Sequence, residues 1–486
     1  MSKNIAIIGS GFSSLSAACY LAKQGHQVQI FEKNEQPGGR ASQFKRDGFT
    51  FDMGPSWYWM PDIFESFFND FDKQVSDYYH LDKLDPAYQI VFADQVVTIG
   101  DSLEKIAAEF ERIEPGSSPA LYRFMAKAQK NYEIAIGKMV YKPGRNPLEL
   151  VSPETAMRVG QFFSTISQDV RKKFTNPKLV SILEFPVLFL GAKPSDTPSF
   201  YSFMNHADFG LGTWHPRGGM YKIIEGMVAL AQSLGVKIHT RETVEEIIVQ
   251  GGQAKGITTT DGEIQADLVL SGADYAHSET LLPPSCRQYS PQYWEKRTFA
   301  PSSLLYYVGF DKKIEGVRHH NLFFDTDFEQ HAREIYDQPQ WPKEPLFYVN
   351  FPSVTDNSMA PEGKEAGFFL MPLAPGLEDT QELRETYFWR MIDRLEQRTG
   401  QTVRNNIIFK ESFCVSDFEN RYNSYKGNAY GMANTLRQTA FLRPGLQSKK
   451  VKGLYFTGQL TVPGPGVPPS LISGKLVAEL IQKQYA

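Results

Sequence analysis

A run of apolar residues, Ile5-Ala6-Ile7-Ile8, opens the chain as a strand. A glycine-rich turn follows, then a helix and a second strand over 27–31, the order in which a doubly wound nucleotide-binding fold begins. After Gly100 the apolar positions take helical spacing. Ser118-Pro119 and Ser152-Pro153 each set a capping hydroxyl before a proline at a first helical position. Between 237 and 274 the period falls to two, with Asp261-Gly262 as a hairpin turn and 266–270 as a buried strand. Strands alternate with turns over 302–373, the segment 377–398 is helical, and a Gly/Pro-rich loop leads into a last helix over 470–484. The pattern predicts an α/β chain without internal repeats.

At 486 residues the chain exceeds an ordinary domain, so two cores, or one core with a large insertion, are expected. Its 51 basic and 55 acidic residues nearly cancel, which argues against a nucleic-acid partner held by phosphate neutralisation. Cys19, Cys286 and Cys414 are odd in number and far apart, which fits a reducing compartment and neither a disulfide framework nor a clustered zinc site. The first strand begins almost at Met1, so no signal peptide is expected. No uncharged apolar run reaches the roughly 18 residues needed to cross a bilayer. The longest apolar stretch, 179–191, contains Glu184 and is flanked by Arg171, Lys172, Lys173, Lys178 and Lys193. It reads either as a segment lying in the headgroup plane or as buried core.

Gly9-Ser10-Gly11-Phe12-Ser13-Ser14 follows a strand and opens a helix, and Glu32 lies at the end of the second strand. In a dinucleotide fingerprint the first glycine permits the tight turn, the second lets backbone amides approach a pyrophosphate, and the acid binds ribose hydroxyls. Ser14 stands at the third position, where glycine or alanine is usual. Lys33, which follows Glu32, is expected at the cofactor with it, and the text then runs through Gly38-Gly39-Arg40 to Asp52-Met53-Gly54-Pro55-Ser56.

That continuation resembles the amine-oxidase-like flavoprotein superfamily. The resemblance implies FAD, with Gly38, Gly39 and Arg40 against its pyrophosphate and flavin, and with Gly54, Pro55 and Ser56 along the isoalloxazine. It also implies that Val244 contacts adenine through its backbone. It further implies that Gly458 and Gln459, with Gly466 and Val467 in the loop before the last helix, belong to the segment that faces the polar edge of the flavin. The segments Trp214-His215-Pro216-Arg217-Gly218-Gly219, Asn423-Ser424-Tyr425-Lys426-Gly427-Asn428 and Pro463-Gly464-Pro465-Gly466-Val467-Pro468 are similar to those of bacterial-type phytoene desaturases. The implied architecture is a Rossmann-type FAD-binding domain from 1–75, 216–290 and 450–486. Inserted into it is a mixed-sheet substrate domain from 76–215 and 291–449, whose helical, membrane-associated region covers about 104–215.

The implied function is desaturation of phytoene or a related acyclic carotene, by hydride transfer to FAD, on the way to lycopene. A 3,4-desaturase, an end-group oxygenase, an isomerase and a non-catalytic carotenoid-binding flavoprotein are the alternatives. The implied partners are a long polyene hydrocarbon, oxygen or a quinone as electron acceptor, and the inner face of the cytoplasmic membrane, with cytoplasmic location. Cationic character left by hydride loss calls for aromatic faces or a carboxylate. Trp57, Tyr58 and Trp59 are candidates for the lining. Asp52 either stabilises charge or caps its loop. His206, Asp208, His215 and Arg217 are entrance or active-site candidates with structural roles as the alternative. No metal is expected, because His319 and His320 are adjacent and point to opposite sides of a strand.

Overall fold

The computed structural model describes residues 2–435 and 437–485. At its centre is an all-parallel sheet of five strands, in the spatial order Leu454–Phe456, Leu268–Ser271, Asn4–Ile8, Gln27–Glu32 and Lys237–Thr240. Successive residues of the Asn4–Ile8 strand serve opposite layers. Ile5 and Ile7 pack with Leu15, Ala18 and Leu476 on the helical side. Ala6 and Ile8 pack with Val244, Ile247 and Ile257 of a three-stranded antiparallel layer. Both faces are covered, and for that reason the strand reads as unbroken apolar sequence.

Helix Phe12–Lys23 lies against helix Val467–Tyr485, where the Ser16 hydroxyl donates to the Leu471 carbonyl at 2.8 Å. A Cβ on Gly474 would stand 2.4 Å from the Ser13 carbonyl oxygen, so the approach of these helices requires glycine.

The second sheet is mixed. Its seven strands run in the order Ile407–Phe413, Ser302–Phe310, Glu365–Leu373, Phe347–Asn350, His320–Phe323, Tyr88–Val91 and Val96–Ile99. All neighbours are antiparallel except His320–Phe323 with Tyr88–Val91. Ser302–Phe310 is buried at every position. Leu304, Tyr306 and Val308 pack on Phe388, Met391 and Ile392 of helix Gln381–Thr399. Leu305 and Tyr307 join the larger core on the opposite face.

The two serine-proline signals resolve differently. Ser152 accepts the Thr155 N–H at 3.2 Å, but the helix it caps, Pro153–Ala156, is a single turn. Ser118 is the first residue of helix Ser118–Ile134 rather than its cap, and its hydroxyl donates to Ala107 at 2.9 Å, tying that helix to Leu103–Ile113.

The stretch 179–191 is core, which corrects the headgroup-plane reading. It forms helix Pro177–Glu184 and the 3-10 turn Phe185–Leu190, with Leu179, Ile182, Leu183, Phe185, Val187 and Leu190 buried. Three of its basic flanks pair with acids from elsewhere: Lys178 with Asp94 at 2.6 Å, Lys193 with Asp337 at 2.7 Å, and Arg171 with Glu329 at 2.9 Å. Among the described residues no helix is long and apolar enough to cross a membrane.

Candidate active site

One cavity of ≈ 850 Å³ is walled by the carboxyl ends of the parallel strands on one side and by the seven-stranded sheet on the other. Loops at the carboxyl edge of a doubly wound sheet are where such folds bind ligands. Here Gly9 takes φ 82°, Gly38 φ 114° and Gly39 φ 57°, left-handed conformations that favour glycine. The Gly38 N–H donates to Ser10 O at 3.0 Å, which brings the two glycine turns together. No atom lies within 4 Å of the place a Gly11 Cβ would occupy, so the space beside Gly11 belongs to the cavity. Glu32 is held beside the turn by Ser10, whose N–H and hydroxyl donate at 2.9 and 2.7 Å, and by the Asn34 N–H at 2.9 Å.

Arg40 is the charged centre of this wall. It donates to Ser424 Oγ at 2.5 Å and to the Asn428 carbonyl at 3.3 Å, and its Nε finds no protein partner. With the Gln459 amide oxygen turned toward it, both terminal nitrogens donate at 3.0 Å, while the Gln459 nitrogen donates to Tyr430 O. Burial pushes the Arg40 guanidinium down, opposed by Asp274, and among the described residues the cation has no carboxylate within hydrogen-bonding distance. A buried guanidinium with an orphaned donor, facing open space beside three glycines, fits the pyrophosphate of a dinucleotide.

The returning segment completes the wall. The Gly458 N–H donates to Ser473 Oγ at 3.0 Å, and Gly466 and Val467 bring the start of the last long helix to the cavity. Behind this loop Arg443 is wholly enclosed. Its guanidinium donates to Asn434 Oδ1 at 2.6 Å and to the carbonyls of Gln459, Met432, Thr461 and Gln438 at 2.7 to 3.1 Å. Burial pushes it down to about 10.

The rest of the cavity is mostly apolar and aromatic. Phe185, Phe189, Phe200 and Phe203 line it together with Trp57 and Trp59. Trp57 stacks on His320 at 4.0 Å and 10°, and Phe185 and Phe189 stand at 5.5 and 5.8 Å on its other sides.

Fifteen of the sixteen residues expected at the cofactor line this cavity: Gly9, Gly11, Glu32, Lys33, Gly38, Gly39, Arg40, Gly54, Pro55, Ser56, Val244, Gly458, Gln459, Gly466 and Val467. Ser14 does not. It is buried against Gly272, where a Cβ would meet its Oγ at 2.0 Å. Of the four catalytic candidates only Trp57 reaches the cavity. Asp52 accepts the N–H groups of Met220 and Tyr221 at 2.6 and 3.0 Å, at the start of helix Tyr221–Ser233, and burial pushes it up to about 6 against those bonds. Arg217 is exposed and pairs with Asp82 at 2.8 Å. His206 packs on the Tyr132 ring at 5.2 Å, and burial lowers it. Asp208 accepts from the Tyr88 hydroxyl at 2.6 Å outside the cavity, and burial pushes it up to about 8. Tyr58 is enclosed with its hydroxyl 3.0 Å from that of Tyr79. The His319 and His320 rings do not point apart. Their centroids are 4.5 Å from each other, because His319 precedes the strand that His320 begins.

Asp274 and Tyr348 line the cavity without having been singled out. Asp274 caps helix Tyr275–Thr280 just past the strand beside Asn4–Ile8, a place the carboxyl-edge rule marks.

Residues 12–482 match the family of flavin-containing amine oxidoreductases. The chain belongs to this family. A carotenoid 3,4-desaturase of Haloarcula japonica is 43% identical over 100% of this chain and 99% of its own length. A 4,4'-diapophytoene desaturase of Staphylococcus haemolyticus is 34% identical, covering 98% of each chain. A zeta-carotene-forming phytoene desaturase of Myxococcus xanthus is 32% identical over 98% of this chain and 93% of its own. Putrescine oxidase bound to putrescine superimposes with a TM-score of 0.62 at 14% identity, covering 99% of each chain, a likeness of fold. Within the flavin-containing family the chain is therefore a carotenoid desaturase family member and an FAD-dependent oxidoreductase.

Proposed function

We propose that this flavoprotein introduces a carbon–carbon double bond into a long acyclic carotenoid. The observation that carries the reading is continuity: the dinucleotide loops and the aromatic wall bound one cavity, so a polyene lying against Phe185, Phe189 and Trp57 also lies against the cofactor site. FAD held there supplies a hydride acceptor, which an unactivated C–H bond demands. The chain's own part is to hold the polyene in register and exclude water. Whole-length likeness to a 3,4-desaturase favours a bond near the end of an already conjugated chain. The phytoene and diapophytoene desaturases among the relatives favour a second reading, phytoene desaturation toward lycopene.

Anaerobic enzyme with oxidised FAD, offered phytoene and lycopene in separate liposomes, tests both. Bleaching of the flavin in step with a product lighter by one hydrogen pair is expected, and oxygen or a quinone then restores repeated turnover. Lycopene consumption supports the first reading and phytoene consumption the second. A product of unchanged mass would mark an isomerase, incorporation of labelled oxygen an oxygenase, and bound carotenoid beside unbleached flavin a carrier.

We also propose that the protein reaches its substrate from a lipid surface, through a face other than 179–191. Phe163 is 83% exposed and Met157 77%, with Val151 and Val159 beside them in sequence. Phe163 and the half-exposed Leu442 also line the cavity, so this apolar rim stands where the cavity opens. Lys142 at the same rim offers a cation to anionic headgroups.

A further inference from the structure

A second, smaller cavity of ≈ 500 Å³ lies between helix Ser118–Ile134 and residues 157–161. Leu121, Phe124, Met125 and Ala128 commit one face of that helix to the core. Arg123, Lys127 and Lys130, at i, i+4 and i+7, therefore share the face left to solvent. Seven helical residues rise about 10 Å, which spaces the three cations along one wall. Arg158 closes the other side, anchored where its Nη1 donates to the Glu154 carbonyl at 3.2 Å.

A solvated helix face ordinarily mixes the two signs, and this one does not. Glu133 is the single acid of the helix, and Gln129 donates to it at 3.2 Å. Lys127 pairs with Asp169 at 3.0 Å, a carboxylate that Lys173 shares. Among the described residues neither Arg123 nor Lys130 pairs with an acid. Gln161 adds one more donor. Asn131 Nδ2, which also donates to the Phe200 carbonyl and Ser202 Oγ, donates to Gln161 Oε1 at 2.8 Å and leaves the Gln161 NH2 group for the cavity. Every polar side chain of the lining thus offers protons, and the remainder, Ala126 and Met157, is apolar. A wall of donors selects an anion, and arginine beside lysine suits the oxygens of a phosphate.

The place of the cavity names the source of that phosphate. The chain carries a net charge of -4, so any pull toward an anionic surface has to be local. Met157 belongs to the lining and is 77% exposed, and Phe163, a few residues on, is 83% exposed and lines the larger cavity. A phosphate held by Arg158 has apolar side chains beside it, the arrangement that a headgroup and its acyl chains require.

We propose that this cavity binds the phosphate of an anionic phospholipid headgroup and so seats the mouth of the larger cavity on the bilayer. The inference rests on the reading that the protein works from a lipid surface. Phe163 and its neighbours supply insertion, and the basic cavity supplies the preference for charge.

Arg123→Gln combined with Lys130→Gln removes two cations that hold no acid of the fold. FAD-loaded enzyme is sedimented with vesicles of phosphatidylcholine alone and of phosphatidylcholine mixed with phosphatidylglycerol. The natural enzyme is expected to prefer the mixed vesicles. The double variant should bind these about 25-fold more weakly, about fivefold for each cation, while keeping its yellow colour and its binding to phosphatidylcholine. Lys237→Gln with Lys452→Gln takes the same charge from exposed positions at the amino ends of two parallel strands, the edge away from the larger cavity, and should bind as the natural enzyme does. Calorimetric titration with dihexanoyl phosphatidylglycerol below its micelle-forming concentration should show saturable binding that the first pair of substitutions abolishes. An equal loss in both double variants, or no preference between vesicles, would overturn the headgroup site. Equal binding of inorganic phosphate in the calorimeter would assign the cavity to a free anion and overturn it as well. Binding to both vesicle types without preference leaves the lipid-surface reading standing, whereas binding to neither overturns that reading together with the site.

Discussion

The imidazole of His215 stands 3.0 Å from a carboxylate oxygen of Asp356, with both side chains 5% exposed or less. Asp356 also accepts the Gly218 N–H at 2.7 Å and the N–H and hydroxyl of Ser358 at 3.0 and 2.6 Å. Burial alone would raise this carboxyl; its donors outweigh that and hold it well below the usual carboxylate range. The pair joins strand Trp214–Pro216 to the turn Asn357–Met359.

Asp356→Ala leaves a buried imidazole and two amides unpaired, and is expected to lower stability by about 3–5 kcal/mol in urea unfolding. The pH dependence has a definite sign. A carboxyl depressed in the folded state contributes fully above its unfolded value of about 3.9 and loses that contribution as pH falls toward the folded value. The gap between natural protein and Asp356→Asn should therefore be constant from neutral pH to about 5 and close below about 4. A gap that widens in acid would refute this account.

Gly11→Val should fold and lose its flavin. The new side chain meets no protein atom within 4 Å of its Cβ and fills cavity space, so the fault falls on ligand approach. Purified variant with native circular dichroism and no yellow colour is the expected outcome.

Arg443→Met removes five hydrogen bonds that tie the 432–438 segment to the loop through Gln459 and Thr461. FAD affinity, measured by fluorescence titration, should fall at least about 10-fold, an amount one lost charged hydrogen bond of about 1.5–3 kcal/mol already covers.

Phe163→Asp and Leu442→Asp place charges on the exposed rim and should release the protein from anionic liposomes while leaving FAD bound. Leu188→Asp and Phe189→Asp act elsewhere. Both residues line the cavity, so these variants should keep liposome binding and lose carotenoid binding.

What the sequence disclosed depended on how local the cause was. The opening strand, turn and helix were legible because burial on two faces and the demands of tight turns act within a few residues. The Gly38-Gly39-Arg40 turn stood out for the same reason. The burial of 179–191 did not, because Asp94 and Asp337, which engage Lys178 and Lys193, lie far away in sequence. Asp52 offered no local sign that its partners are the amides of Met220 and Tyr221. Ser56 and Tyr348 are 292 positions apart, and only the register of the seven-stranded sheet brings Tyr348 and His320 together.

The parallel sheet takes adjacent strands from residues 4–32, 237–240, 268–271 and 454–456. During synthesis, the glycine turn at 9–11 emerges long before the strand and helix that flank it in space. A nascent chain that has not yet passed Gly458 has only part of the flavin wall, so FAD capture is an event of the finished polypeptide. Once captured, the cofactor fastens the first and last segments of the chain together. Free FAD at 100 times its dissociation constant adds about 2.7 kcal/mol against their separation, and flavin supply thereby governs how long the protein survives a proteolytic environment.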